Sequence, residues 1–237
     1  MGVSVYLPDA KFSEVVASIN PEPVGLEGLF FTKVNQATSI DNSAFGKPDA
    51  SAVGALTYTS QSALNLNASN YFDSGVSISG DCTLLCLCKA PTGSSRIMGN
   101  LLDGTPVTGD MIDFTSSTRT MRAFNSGVSS SLVIPSDYVA DDFRIFAASF
   151  RNNGDGTSLT RLFVSDRDAI LSGSSQFSSA RAPVPSRNIR LGAVYSGVPS
   201  NREVAAFGVW SRALSFAEIV NVYRHLKASY GSAITIS

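Results

Sequence analysis

The chain reads as an all-β protein, an antiparallel two-sheet sandwich with a short N-terminal helix and a C-terminal helix. Three observations predict this. From about residue 29 to residue 208, short apolar or alternating runs are broken by Gly, Pro, Asn and Ser clusters, as in a meandering antiparallel fold. Nine runs stand out, at 28–34, 56–59, 83–89, 111–115, 120–125, 144–151, 159–165, 189–194 and 203–210, and that many strands need two packed sheets. Helical periodicity is confined to the two ends.

Taken in order, the first element is an amphipathic helix. Asp9 can cap it, Phe12, Val15, Val16 and Ile19 form its apolar stripe, and Asn20-Pro21 stops it. Residues 1–23 are therefore read as a helical arm and residues 24–237 as the sandwich. In the run at 83–89 and just before it, Cys82, Cys86 and Cys88 share one strand face. Neighbours at i and i+2 cannot form an undistorted disulfide and no fourth metal ligand is near, so these thiols are expected to act as small buried hydrophobes. Asn152-Asn153-Gly154-Asp155-Gly156 separates two apolar runs and reads as a hairpin turn. It lacks the downstream acidic residue that would close a calcium loop. The serine-rich stretches 126–131 and 172–179 read as exposed loops. At the C-terminus, Ser215 and Glu218 form a capping box, with Leu214 and Ile219 as its hydrophobic staple. Ile219, Val222, Tyr223 and Leu226 continue the apolar stripe, and Lys227 suits the negative end of the helix dipole.

Composition narrows the function classes. The 237 residues are 43% hydrophobic but only 16% charged, so Ser, Thr, Asn and Gly must keep the surface wet. A net charge of -1 without a basic run argues against a nucleic-acid partner. There is no basic-then-apolar leader, no run long enough to span a bilayer, and no hydroxyl residue where myristoylation needs one, since Tyr6 stands there. Neither export by the usual signal nor membrane insertion is expected. Three unpaired cysteines fit a reducing folding compartment.

The run NREVAAFGVWSRALSFAEIVNVY resembles the end of the laminin-G-like and concanavalin-A-like lectin jelly rolls, with Trp210, Arg212, Ala213, Leu214, Ser215, Glu218 and Ile219 in the matching places. Upstream, FRIFAASFRNNGDGTSLTRLFVSDRDAIL and NIRLGAVYSG are similar to the hairpin and strand before it, and ALNLNASNYFDSGVSISGDCTLLCLCKAP to an earlier segment of that family. The resemblance covers about residues 24–228. It departs at Phe143-Arg144, where the family has Trp-His, and at 165–168, where the family has Asp-Gly. It implies a jelly-roll sandwich.

The only histidine, His225, lies in the last helix, which leaves no base for a serine or cysteine nucleophile. Related jelly rolls include glucanases that align carboxylates on one strand, but Asp110 and Asp113, at i and i+3, point to opposite faces. No catalytic residue, metal or cofactor is expected. Non-catalytic sugar binding needs an aromatic platform and planar polar groups near loops, and the candidates are Tyr71, Asp110, Arg122, Asn125 and Tyr195. With no leader and with free thiols, the family resemblance points to a bacteriophage virion component folded in the host cytoplasm. The expected role is host-glycan adhesion in a tail fibre or tail tip, as a homo-oligomer among other virion subunits. The alternative is a capsid or tail decoration protein without a glycan ligand, and a glycan-active enzyme ranks third.

Overall fold

A computed structural model describes residues 21–89, 93–104, 107–125, 127–135, 142–195 and 202–237. The helix expected over residues 9–20 lies outside them. The described strands form two antiparallel sheets. The larger runs from β13 (Ala169–Phe177) through β12 (Ser158–Asp166), β11 (Phe143–Asn152), β6 (Cys82–Lys89), β15 (Arg202–Trp210) and β4 (Ala63–Leu66) to β3 (Thr57–Tyr58), with β1 (Leu26–Phe31) also paired to β15. The smaller runs from β10 (Val128–Val133) through β9 (Thr120–Asn125), β8 (Asp110–Thr115), β7 (Ser94–Gly99), β14 (Asn188–Leu191) and β5 (Tyr71–Ser77) to β2 (Ser51–Val53). Two helices accompany them, α1 (Gln36–Ile40) and α2 (Phe216–Tyr230). This is a two-sheet sandwich of the jelly-roll kind.

The strand β6 shows how alternation builds two layers. Cys82, Leu84, Cys86 and Cys88 point into the space between the sheets, beside Phe72, Phe114, Phe146 and Phe207. Leu85 and Leu87 point the other way, under α2, with Ile145, Phe163, Trp210 and Leu226. A bulge in β15 between Val204 and Ala206 lets both Val204 and Phe207 point inward, and alternation from there turns Trp210 outward. Gly208 leaves space for that indole, because a Cβ there would sit 2.7 Å from it. Each fully buried aromatic or aliphatic side chain contributes roughly 1.5–3 kcal/mol of transfer free energy. The three thiols are free and buried, and burial pushes the Cys82 thiol up to about 12.

The capping box starts α2 as its sequence requires: Ser215 N donates to Glu218 Oε2 at 2.7 Å, and Glu218 N donates to Ser215 Oγ at 3.4 Å. Residues 152–156 join β11 to β12, with Gly154 and Gly156 at positive φ. The serine-rich stretches are corrections: 128–133 and 169–177 are β10 and β13, the edge strands at one side of the sandwich. An edge strand that is half exposed does not need the apolar alternation by which buried strands are recognised.

Three arginines are buried inside the fold. Arg181 Nε donates to Asp110 Oδ1 at 3.0 Å, its Nη2 pairs with Asp110 Oδ2, its Nη1 donates to the Gly80 carbonyl, and Asn152 Oδ1 accepts from its backbone N–H. This clasp ties the 178–187 segment to both sheets. Arg144 pairs with Asp166 and donates to the Ser165 carbonyl. Arg202, 5% exposed, has no hydrogen-bond partner for any guanidinium nitrogen, and burial holds its pKa below the ordinary value.

Candidate functional site

The two sheets differ on their outer sides: α2 packs on the larger one, whereas the outer face of the smaller one carries polar and charged side chains. Its register is fixed by the β8–β9 hairpin, in which Met111 faces Phe124 and Asp113 faces Arg122. Extended across β7 and β14, one outward row reads Phe124, Met111, Gly99, Arg190 and Asp73. A neighbouring row reads Arg122, Asp113 and Arg96. Strands lie about 4.8 Å apart, so Phe124 and Arg190 are separated by roughly 14 Å.

A glycine is required in the middle of that row. Gly99 has φ +149, and a Cβ there would lie 2.2 Å from the Asp110 carbonyl oxygen. Asn100 then turns the chain, since its Oδ1 accepts from Asp110 N–H at 2.9 Å and its N–H donates back to the Asp110 carbonyl at 2.9 Å. The turn brings Leu101 and Val107 over Met111, together with Val194 and Phe124, in a small apolar cluster.

Beside this cluster opens a cleft of about 310 Å³ lined by Ser94, Arg96, Asp103, Asp113, Arg122 and Phe124, among others. Arg122 Nε donates to Asp113 Oδ1 at 2.9 Å and its Nη2 to Oδ2 at 2.5 Å, a fork that lays the guanidinium 5.1 Å from the Phe124 ring centre. Arg96 Nη2 lies 3.1 Å and 2.9 Å from the two oxygens of Asp103. Burial raises the Asp113 carboxyl, against the opposing pull of Arg122 and Arg96. Both oxygens of each carboxylate are therefore within reach of guanidinium groups.

A second cluster lies towards β5. The Arg190 guanidinium sits 3.8 Å from the Tyr195 ring centre and 4.7 Å from that of Tyr71, while Arg187 lies 5.5 Å from Tyr195. Asp73 anchors the stack, accepting from Arg190 Nε at 3.4 Å and from Asn188 Nδ2 at 2.9 Å. Such guanidinium–aromatic stacks contribute about 0.5–1 kcal/mol each at exposed sites.

The sequence candidates divide accordingly. Arg122 lines the cleft, and Tyr71 and Tyr195 come together around Arg190. Asp110 and Asn125 turn away: paired across β8 and β9, both are buried on the inward face, Asp110 against Arg181 and Asn125 Nδ2 donating to Ser158 Oγ at 3.2 Å. The alternation that separates Asp110 from Asp113 sends Asp113, not Asp110, to the cleft. The sequence pattern does not mark Arg96, Asp103, Asp113, Arg187 and Arg190 as binding residues, although they line the cleft or the guanidinium–tyrosine cluster. For Asp113 a signal existed, because a turn centred on Ser117-Thr118 sets it opposite Arg122. Among the described residues, no group of three or more His, Cys, Asp or Glu side chains is placed to hold a metal ion, and no helix is long and apolar enough to cross a membrane.

No family model matches the chain, and no curated protein matches it. Solved structures do. Trypanosoma rangeli sialidase in complex with 2,3-difluorosialic acid aligns with a TM-score of 0.60 at 15% identity, over 86% of this chain and 33% of the sialidase. The botulinum neurotoxin serotype D binding domain aligns at 0.58 and 14%, over 89% of this chain and 52% of that domain. The serotype D ligand-binding domain in complex with N-acetylneuraminic acid aligns at 0.58 and 11%, over 88% and 52%. The chain thus spans a third of the sialidase and about half of the neurotoxin domain. At these identities the likeness is one of fold: the chain shares a β-sandwich with a binding domain and with an enzyme.

Proposed function

We propose that the chain is a non-enzymatic glycan-binding module whose site is the cleft between Arg96, Asp103, Asp113, Arg122 and Phe124. The observation that carries this reading is the pair of arginine–carboxylate contacts held beside an aromatic ring on the exposed sheet face. Planar forks of that kind supply paired donors and acceptors for vicinal hydroxyls, and the cleft falls at the small end of the size range of ligand sites. The sialic-acid complex of a neighbour with the same fold makes acidic glycans the first class to try. A glycan array with the full chain, followed by calorimetry on the best ligand, tests it: selective binding lost in Arg122→Ala is expected, whereas no signal on any glycan rejects it. Release of product from fluorogenic glycosides would reject the non-enzymatic half.

The biological setting we propose is a bacteriophage virion, with the chain as a tail-fibre or tail-tip component that folds in the host cytoplasm, assembles with other virion subunits and adheres to host-surface glycans. Three free buried thiols and a neutral, serine-rich surface support that setting. Binding to intact bacteria, blocked by the soluble glycan, is the expected result. Chain that is tightly held on virions yet fails to bind cells would favour the decoration role.

A further inference from the structure

We propose that β13 is an interface on which a second copy of this chain pairs, antiparallel and edge to edge. An edge strand offers a row of unsatisfied N–H and C=O groups, and proteins that remain monomeric usually blunt it with charge, proline, a bulge or short length. The edges β3 and β2, of two and three residues, are short. The nine residues of β13, AILSGSSQF, use none of these devices: no charged residue, no proline, and unbroken register with β12 from Ala169 opposite Asp166 to Phe177 opposite Ser158. At about 3.4 Å per residue the edge is roughly 30 Å long.

Nothing among the described residues covers that edge. β12 pairs with one side of β13, and no backbone hydrogen bond joins the other side to any described residue. The neighbouring β10 packs on the inward face of β13, through Ser130 Oγ and Ser175 Oγ at 2.8 Å and Leu132 against Gly173, and so leaves the edge open.

The occupant follows from the sequence of the strand. A two-fold axis at Gly173 sets Ser172 opposite Ser174 of the second copy, Leu171 opposite Ser175, Ile170 opposite Gln176 and Ala169 opposite Phe177. Every pair is neutral, so the strand meets its own copy without like-charge repulsion, and small side chains surround the axis. Ser172, Ser174 and Gln176 are exposed.

Light scattering on the full chain is expected to give a mass near twice 24.9 kDa as concentration rises. Ser172→Lys/Ser174→Lys, which sets lysines against lysines, should give monomer with an unchanged circular dichroism spectrum, as should Ser172→Glu/Ser174→Glu. Mixing the two charged variants should restore a dimer of one copy of each. A monomeric wild type, a dimer that persists in both variants (as pairing through residues 1–20 would give), or failure of the mixture to pair would each overturn the proposal. Single-site glycan affinity should be the same in dimer and charged monomer, so the interface and the cleft fail independently.

Discussion

The outer faces of the two sheets have opposite fates. Over the larger sheet, α2 and the 234–236 segment close a second apolar layer in which Trp210, Leu226, Ile219 and Tyr230 are buried. Among the described residues no helix covers the middle of the smaller sheet, α1 touching its edge strand β2, and Arg96, Asp113, Arg122, Arg190 and Asp73 stand in rows beside the small Leu101–Met111–Val194 cluster. One face is thus committed to stability, and the other is the face on which the proposed recognition site lies. Substitutions on the first should unfold the protein, and substitutions on the second should change binding while leaving the fold intact.

The largest effect is expected at Trp210→Ala. The indole is fully buried under the helix, and its Nε1–H donates to the Glu22 carbonyl at 2.9 Å. Truncation leaves a cavity and an unpaired carbonyl, a loss of roughly 3–5 kcal/mol by urea unfolding. A loss under 1 kcal/mol would mean that the layer beneath α2 can collapse, and that the two faces differ less than their burial indicates.

Next is Arg202→Met, with the opposite sign. This buried guanidinium lacks hydrogen-bond partners, in contrast to Arg181, which is satisfied on every side by Asp110, Gly80 and their neighbours. Removing an uncompensated charge while keeping a similar volume should stabilise the chain by about 1–3 kcal/mol. Arg181→Met, which strands the buried Asp110 carboxylate, should destabilise it. If both substitutions destabilise equally, Arg202 has a counter-charge that its described surroundings do not supply.

How much of this was legible follows from the same physics. The strands with one buried apolar face, such as β6, β11 and β15, and the capped helix α2 were readable because alternation and capping chemistry are local. The edge strands β10 and β13 read as loops because exposed serines satisfy no buried pattern. The cleft was half legible. The sequence marks Arg122 as a candidate but offers Asp113 only as a catalytic companion of Asp110, and the pairing becomes visible once the hairpin register is known. Arg181 and Arg190 owe their roles to contacts across long stretches of chain, Arg181 with Asp110 and Arg190 with Tyr71, which no local pattern encodes.

A smaller effect is expected at the start of α2. Ser215→Ala removes the cap and should cost about 1 kcal/mol. Burial alone would raise the Glu218 carboxyl, but the Ser215 N–H and Arg212 together bring it below its ordinary value of 4.5. A carboxylate depressed in the folded state contributes stability that is fully present above its unfolded pKa and is lost as pH falls through the folded one. The acid limb of the stability curve below about pH 4.5 should therefore flatten in Glu218→Gln. Should wild type and variant lose stability in parallel, other carboxylates govern that limb and the cap is dispensable to the covered face.

The smallest effect on stability, and the sharpest test of the contrast between faces, is Arg122→Ala combined with Asp113→Asn. Either change alone leaves a charge without its fork, and Asp113 is the more costly to strand because it is largely buried. Made together they neutralise the pair, and the fold should lose no more than about 1 kcal/mol. Glycan binding should disappear, since both halves of the planar fork lining the cleft are gone. Retained binding with retained stability would move the site along the same face to Tyr71, Arg190 and Tyr195, where Arg190→Ala should then abolish it. Binding that survives both sets of substitutions would mean that the uncovered face is not the recognition surface.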